Sequence, residues 1–378
     1  MRLVLASRLA AMAVTAATAI MAVGGPASAG PTGGDRNPFL GPLRTVSTVA
    51  STVPANGDLN PYGTALVEQS IGDLRRGDVL VSNFNNAANQ QGTGTTLVQI
   101  SPRRTAKLFA QIDPKKLPGP CPGGVGLTTA LSILPGGWVV VGSLPTADGT
   151  SATARAGCLL VLDSRGKVRE TLSGQGINGP WDMTAKSYGE KTDLFVTNVL
   201  NGTVAGGGKV VRRGTVLRIT LRTQGNRPPT RIATTEIGSG FAQKTDPAAL
   251  VIGPTGVGLR DGTLYVADTV DNRITAIPDA STRRNSARIG RVVTINQRLN
   301  GPLGMAITPK GNILTVNSGD GNIVETTPRG VQVAVRTLDT SGTPPGAGAL
   351  FGLAIATNPD RVYFVDNATN TLNLLSRR

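Results

Sequence analysis

The chain has 378 residues, of which 39% are hydrophobic and only 3% aromatic, and it carries 38 Lys and Arg against 23 Asp and Glu. It contains no histidine. That absence excludes Ser-His-Asp triads, Cys-His pairs and histidine-ligated zinc sites, because each needs an imidazole as a base or a ligand. Any catalysis would therefore use carboxylates, Lys, Tyr or an oxygen-ligated metal.

The amino-terminal residues have the order of a secretory signal peptide. Arg2 and Arg8 precede an Ala-rich apolar stretch, which ends in PASAG at residues 26–30. This order predicts cleavage after Ala29. A membrane anchor would need about 20 strongly apolar residues, and this run is shorter. We expect a secreted, extracellular protein without a transmembrane segment in its mature chain, a flexible segment over 30–42 and a single domain over 43–378.

The formal charge of +15 falls to +13 when Arg2 and Arg8 are removed. Such a surface should attract extracellular polyanions, among them cell-wall polymers and acidic polysaccharide. The same charge also fits scattered Arg residues that keep an exported protein soluble. Because no basic segment is interleaved with aromatic residues, specific binding of nucleic acid is not expected.

A strand pattern recurs six times along the chain. It reads DVLVSN, WVVVGS, DLFVTN, TLYVAD, NILTVN and RVYFVD, beginning at residues 78, 138, 193, 263, 312 and 361. Each copy is followed by another strand. In the first five units a further strand comes next, in most cases after a polar turn such as PRR, SRG or PRG. Another apolar segment, usually introduced by Pro or Gly, precedes each copy. The sequence thus predicts six units of four short strands.

The sixth unit ends at Arg378 without its last strand. LRTVSTVAS, over Leu43–Ser51, has the same alternating character and precedes the first unit. A closed radial array in which an amino-terminal strand completes the last unit accounts for both facts. We therefore predict an all-β fold, a six-bladed β-propeller of four-stranded antiparallel blades. No helix is predicted in the mature chain.

The segment GTLYVADTVDNRITAI resembles an NHL-type repeat, and the series from Asn60 to Arg378 is similar to six-bladed propellers of the NHL and gluconolactonase-like superfamily. The resemblance implies a propeller. Gluconolactonase-like enzymes hold a divalent metal at the channel mouth with a Glu from the first blade and with Asn and Asp from later blades. Here Asp182, Asn198 and Asp268 are the corresponding metal candidates, and the first blade offers Asn60 where a Glu is expected.

Polar residues end the recurring strands, and the strand order places them around one face. We expect this ring and the blade-opening segments to bind a ligand at the channel mouth, through Asn60, Asn83, Asp182, Asn198, Asp268, Asn317 and Asp366. Carboxylate and amide oxygens suit a divalent cation such as calcium. Asp and Asn at strand ends also cap turns through their own backbone, and this alternative stays open.

The connections between second and third strands of a blade are long in the first three units and short in the last three. Long loops on a rigid scaffold often carry binding sites, although their Gly, Asn, Thr and Ala content also fits plain connection. They lie on the same face as the polar ring. The sequence therefore predicts that this loop-bearing face holds the site.

Cys121 and Cys158 are the only cysteines. In an oxidising compartment an even and small count favours one disulfide, and the strand count places both residues on the same face of the second blade. Their Cα atoms would have to approach within about 7 Å. Two separate buried thiols are the alternative.

Together these features predict a monomeric, secreted propeller that binds a polyanion, saccharide or protein through its loop-bearing face. The alternative is a metal-dependent hydrolase or lactonase that acts on a small molecule at the channel mouth. The missing histidine weighs against lyases of related propeller fold, because their resemblance implies catalytic or metal-binding histidines.

Overall fold

The computed structural model describes residues 37–225 and 227–377. The predicted signal peptide, residues 1–29, lies outside the described residues, as do residues 30–36 of the predicted flexible segment. In the described part of the chain, no helix is both long enough and apolar enough to cross a bilayer. The helical elements described there are two 3-10 turns, Pro135–Gly137 and Ser151–Thr153.

The strands form six antiparallel sheets, which are the six blades of the predicted propeller. Strand β1 covers Thr45–Ser51 and belongs to the last blade. The first blade contains β2 to β5, over Leu59–Leu66, Val79–Asn85, Thr96–Ile100 and Ala106–Gln111. The second blade contains β6 to β9, over Leu127–Leu134, Trp138–Ser143, Cys158–Leu162 and Val168–Leu172.

The third blade has an extra short strand. It contains β10 to β14, over Gly179–Tyr188, Lys191–Val199, Val211–Arg222, Thr230–Asp246 and Leu250–Ile252. The fourth blade contains β15 to β18, over Pro254–Arg260, Thr263–Asp268, Arg273–Ile277 and Arg291–Ile295. The fifth contains β19 to β22, over Pro302–Ile307, Ile313–Asn317, Asn322–Thr326 and Gln332–Thr337. The sixth contains β23 to β25, over Leu350–Ala356, Arg361–Asp366 and Thr371–Ser376.

The innermost strands of neighbouring blades contact one another around the axis, and β2 of the first blade contacts β23 of the last. The second and third strands of the blades are the apolar core: every residue of β3, β4, β7 and β8 is buried. Outer strands such as β5 are mostly exposed. This gradient reflects the packing of blades face to face, which buries Val- and Leu-rich strands on both sides.

The ring closes as predicted, because β1 pairs antiparallel with β25, from Thr45 opposite Ser376 to Ser51 opposite Thr371. The residues just before β1 are also hydrogen-bonded to the propeller. The backbone N–H groups of Phe39 and Leu40 donate to the buried carboxylate of Glu325 in the fifth blade, at 2.8 and 2.9 Å. This segment therefore joins the fifth blade to the sixth.

The two cysteines form the predicted disulfide. The Cα atoms of Cys121 and Cys158 are 5.2 Å apart, and the bridge spans 37 residues of sequence. It ties the connection between the first and second blades to the start of β8. Because Cys158 is fully buried, the bridge is anchored in the core of the second blade.

We expect the closing strand β1 to contribute strongly to the thermal stability of the propeller. A chain that starts at Asn37 keeps β1 and should melt like the mature protein. A chain that starts at Thr52 exposes the edge of β25 and should melt lower by about 10 °C or more, since each kcal/mol lost shifts the melting temperature by about 2–4 °C in large domains. Calorimetry of both chains checks this, and equal melting temperatures would contradict it.

The disulfide should contribute roughly 3 to 4 kcal/mol, from the loop entropy that a 37-residue separation removes from the unfolded chain. Replacing both cysteines by serine is expected to lower the free energy of unfolding by about that amount. Urea denaturation of the variant and of the oxidised parent measures the difference. A variant as stable as the parent would show that the bridge adds nothing.

Candidate functional site

The innermost strands surround an axial channel, and each has a register irregularity at the same depth. In β2 it falls between Pro61 and Thr64, and in β10 between Pro180 and Met183. The corresponding residue is glycine in four blades, namely Gly63, Gly256, Gly304 and Gly352. A Cβ at Gly256 or Gly304 would collide with the backbone carbonyl of the next blade. The channel therefore has a narrow neck.

Aromatic side chains close the channel on the loop-bearing face, where the innermost strands begin. Tyr62 stacks on Phe84 and Phe351, with ring centroids 4.4 and 4.0 Å apart, and Trp181 lies 6.1 Å from Tyr62. The Trp181 indole N–H donates to the carbonyl of Val251 at 2.9 Å. We call Tyr62, Trp181 and Phe351 the axial plug. All three are buried.

Connections on the same face lie across the plug. The Gln91 side chain, in the long loop of the first blade, donates to the carbonyl of Pro247 in the third blade at 2.7 Å. Thr146, in the long loop of the second blade, donates its hydroxyl to the Gln91 carbonyl. The long loops of the first two blades thus bond to each other, and the first of them also bonds to the turn between β13 and β14 of the third blade.

The channel is open at the opposite face, where the innermost strands end; we call it the open face. A cavity of about 390 Å³ is lined by the second halves of all six innermost strands and extends to Glu68. Its wall is mostly Leu, Ile, Val, Met and Ala, and its charged lining residues are Glu68 and Asp182. The expectation that the loop-bearing face holds the site stays a prediction, but the accessible channel belongs to the other face.

Asp182 takes the neck position that glycine takes in four other blades. Its Oδ1 accepts the N–H of Met183 at 2.8 Å, and its Oδ2 accepts the N–H of Val257, in the next blade, at 3.2 Å. The side chain is only 8% exposed. Burial raises the pKa of Asp182 to about 7, against the opposing effect of the two N–H donors. The folded chain therefore keeps this proton to a higher pH than an exposed Asp would.

The predicted ring residues mostly hold the segment that enters their own blade. The Asn83 amide donates to the carbonyl of Thr52 at 2.9 Å, and the Asn317 amide donates to that of Arg298 at 2.8 Å. Asn198 accepts two backbone N–H groups, of Asn178 and Gly179, at 2.8 and 3.0 Å. All three asparagines are fully buried. These bonds go to the segment that enters the blade and not to the residue's own turn, and the prediction that these residues bind a ligand stays a prediction.

Asp268 and its neighbours in TLYVADTVDNRITAI form an ion-pair network. Asp268 pairs with Arg273 at 2.7 Å, while Asp271 pairs with Arg273 at 2.8 Å and with Arg212 of the third blade at 2.7 Å. Burial raises the pKa of Asp268 to about 6 despite the nearby Arg273. Asn272 accepts the N–H of Gly301 at 2.9 Å. The repeat motif therefore links neighbouring blades.

Two further predicted residues lie in the first and last blades. Asn60, at a left-handed φ of 60°, donates its amide to Asn85 and its backbone N–H to Asn370. Asp366 accepts the N–H of Thr369 at 3.2 Å, and burial raises its pKa. Asn60 thus bonds within the first blade and to the sixth, and Asp366 bonds within its own blade.

The residues at the axis do not fit a calcium-type site. The plug offers no carboxylate or amide oxygen, and calcium takes about six to eight oxygen ligands. The hydrogen bonds and ion pairs of Asp182, Asn198 and Asp268 go to separate partners and do not join these side chains in one site. Among the described residues, no three acidic or Cys side chains cluster as a metal site would require.

Sequence reasoning missed the axial plug and the cavity beneath it. A signal was present: PYG, PWD, PLG and LFG place a large apolar residue directly before the neck position in four blades. Thr64, Thr129 and Glu68 of the cavity wall carried no recurrent pattern. Their role depends on which strand face turns toward the axis.

No family model matches the chain, and no curated protein matches it. Among solved structures, a gluconolactonase from Xanthomonas campestris is similar with a TM-score of 0.53 at 13% identity, covering 90% of this chain and 91% of the other. A putative gluconolactonase gives 0.51 at 14% identity, with 91% and 97% covered. A luciferin-regenerating enzyme gives 0.54 at 12% identity, with 87% and 94% covered.

The chain has the gluconolactonase-like propeller fold. This likeness confirms the resemblance predicted from the repeats, at the level of fold. Identities this low assign no activity, because one propeller scaffold supports unrelated functions. The propeller must therefore be interpreted from its own channel and faces.

The raised pKa of Asp182 predicts a loss of stability with rising pH. Between about pH 4 and pH 7 the unfolded chain releases this proton while the folded propeller keeps it, so the free energy of unfolding falls. The raised pKa of Asp268 also lowers the free energy of unfolding as the pH rises, but this effect ends near pH 6. We expect the parent to lose about 1 kcal/mol between pH 6 and pH 8, and Asp182→Asn to lose less. Urea denaturation at both pH values tests this; equal losses in parent and variant would contradict it.

Proposed function

We propose that this propeller is an exported binding protein whose open face docks an extracellular anionic polymer, such as a wall polymer or an acidic polysaccharide. The observation that carries the proposal is the unequal distribution of charge between the two faces. The proposal places polymer binding on the open face, and the predicted ligand site on the loop-bearing face stays a separate prediction.

The turns between third and fourth strands lie on the open face and are strongly basic. Their charged residues are Arg103, Arg104, Arg165, Lys167, Arg227, Arg283, Arg284, Arg288 and Arg329, against Asp163 and Asp279. The strand ends that border these turns add Lys107, Arg169, Arg222, Arg231 and Arg291. Acidic residues in the turns between first and second strands offset part of this charge.

The connections on the loop-bearing face are balanced. They carry Lys115, Lys116, Arg155, Lys209 and Arg298 against Asp58, Asp113, Asp148, Asp271, Asp320 and Asp339. Scattered Arg that serve solubility alone would not favour one face. A surface of net positive charge instead raises the local concentration of an oppositely charged polymer and its rate of association.

The first blade contains a cleft in this basic face. Its volume is about 670 Å³, and its charged lining residues are Arg75, Arg76, Arg103 and Lys107 against Asp73 and Asp78. All four basic residues are exposed. Arg guanidinium groups bind carboxylate and phosphate in bidentate geometry, so the cleft suits one anionic group of a repeating polymer.

Charge reversal on each face tests the proposal. Arg103→Glu with Arg104→Glu alters the open face, and Lys115→Glu with Lys116→Glu makes the same change in net charge on the loop-bearing face. We expect the first pair to weaken binding to immobilised polygalacturonate about tenfold or more and to flatten its dependence on salt. The second pair should change affinity far less.

Equal effects of the two pairs would show that net charge alone governs binding and would refute a docking face. Binding of neutral dextran as tightly as polygalacturonate would also contradict the proposal, because it would indicate recognition of the saccharide without its charge. Melting curves of both variants establish that the fold is preserved.

A further inference from the structure

The basic cleft of the first blade has a carboxylate on its floor. Its rim carries the exposed side chains of Arg75, Arg76, Arg103 and Lys107. Asp78 also lines the cleft, but only 8% of this residue is exposed. The volume of the cleft, about 670 Å³, lies within the range of about 300–1,000 Å³ that is usual for small-molecule sites. The cleft therefore has room for a whole monomer of a polymer and not only for its charged group.

Strand pairing explains why Asp78 lies close to the cations of the cleft. Leu80, Gln99 and Lys107 are directly opposite one another in β3, β4 and β5, so their side chains share one face of the blade. Asp78 precedes Leu80 by two residues, and the alternation of an extended chain places it on that face as well. Burial raises the pKa of Asp78, while the charges of Arg75 and Lys107 lower it. The carboxylate and these cations thus belong to one electrostatic site.

The carboxylate of Asp78 lacks the partners that its counterpart in the third blade has. Asp78 and Asp193 occupy the same place in the repeats DVLVSN and DLFVTN. Asp193 accepts hydrogen bonds from Tyr188 at 3.1 Å and from Thr220 at 2.6 Å. Around Asp78, no Lys or Arg of the described residues forms an ion pair, and the polar neighbour in its own blade is the Gln99 amide. Because a carboxylate has about four acceptor sites, Asp78 retains several for a ligand.

Hydrogen bonds hold the turn that forms one wall of the cleft. The Gln99 amide donates to the carbonyl of Asp73 at 3.1 Å, and the backbone N–H of Asp73 donates to the carbonyl of Ser164, in the second blade, at 2.8 Å. The Arg75 guanidinium donates to two carbonyls of the same turn, and it has further N–H groups for a ligand. Binding therefore requires little ordering of this wall, which favours affinity.

These groups suit an anion that also carries neutral hydrogen-bond donors. Four basic residues line the cleft against two acidic ones, so an ammonium group is disfavoured as the donor to Asp78. A phosphodiester or sulfate group has charge but no donor for a carboxylate. A hexuronate carries hydroxyl groups and a carboxylate on one ring. Its hydroxyls would make charge-assisted hydrogen bonds to Asp78, which are roughly twice as strong as neutral ones.

We propose that this cleft is a hexuronate subsite, in which Asp78 accepts hydrogen bonds from ring hydroxyls and the basic rim binds the uronate carboxylate. The polymer that docks on the open face is then a polyuronate and not a phosphate polymer. The inference rests on the proposed function, because it assigns one unit of the docked polymer to a cleft of the same basic face. It goes further in requiring recognition of hydroxyl groups, which charge alone does not provide.

Two ligands of equal charge separate hydroxyl recognition from charge. Trigalacturonate and a peptide of three glutamates, acetylated and amidated at its ends, each carry three carboxylates, and only trigalacturonate carries ring hydroxyls. We expect titration calorimetry to give the parent protein about tenfold higher affinity for trigalacturonate, since hydrogen bonds to a charged group strengthen binding by at least that factor. Equal affinities for the two ligands would overturn the proposal.

Asp78→Asn tests the role of the carboxylate by the sign of its effect. If charge alone governs binding, loss of a negative charge in the cleft should tighten every polyanion. If Asp78 accepts ring hydroxyls, the variant should bind trigalacturonate about tenfold more weakly and tripolyphosphate no more weakly than the parent. The matched variant Asp73→Asn removes the same charge from the exposed rim of the same cleft and should tighten both ligands.

Tighter binding of trigalacturonate by Asp78→Asn, or equal weakening of trigalacturonate and tripolyphosphate, would overturn the subsite. Melting curves show whether the variants keep the fold. If Asp78→Asn does not fold, the comparison of the two ligands in the parent decides, because it needs no substitution.

The failure of this inference is distinguishable from that of the proposed function. Binding of polygalacturonate through the basic turns, without preference for trigalacturonate over the peptide, overturns the subsite alone. No binding of polygalacturonate to the parent overturns both.

Discussion

The structure depends on the convergence of six innermost strands on one axis. At the neck the backbones of neighbouring blades come so close that a Cβ would collide with a carbonyl oxygen at several positions, and glycine is the residue that avoids this contact. The register irregularities at the same depth let each strand bend past its neighbour. This constraint divides the axis into a plugged half and an open half, and it leaves Asp182 as an acidic side chain between them.

Polar residues at the strand ends also stabilise the closed ring of blades. Asn83, Asn198 and Asn317 bond the segments that enter their own blades, and Asp271 joins the third blade to the fourth through Arg212. A propeller has little contact between distant blades, so its rigidity rests on such local ties and on the closing pair of β1 and β25. In these bonds Asn83 and Asn317 use their amide N–H groups, while the Oδ1 atom of each has no hydrogen-bond partner among the described residues.

The two faces consequently differ in structure and in charge. The loop-bearing face is tied together by the plug and by bonds among connections of the first three blades, while the open face combines basic turns with a carboxylate at the end of its channel. The deep position of Asp182 keeps that carboxylate out of the field of the surface Arg residues.

The sequence by itself determined the architecture. Six recurring strand groups and an unpaired amino-terminal strand indicate a closed ring, since closure pairs the strand edges. The two cysteines were placed on the same face of one blade, which predicted the disulfide. The sequence also singled out Asp182, Asn198 and Asp268 as unusual. Only the tertiary structure decided their roles, because strand order fixes which end of a blade a residue occupies but not whether its side chain turns toward the axis, a neighbouring blade or solvent. The axial plug, the direction in which the channel opens and the isolation of Asp182 all follow from that orientation, which arises from packing six strands at one neck.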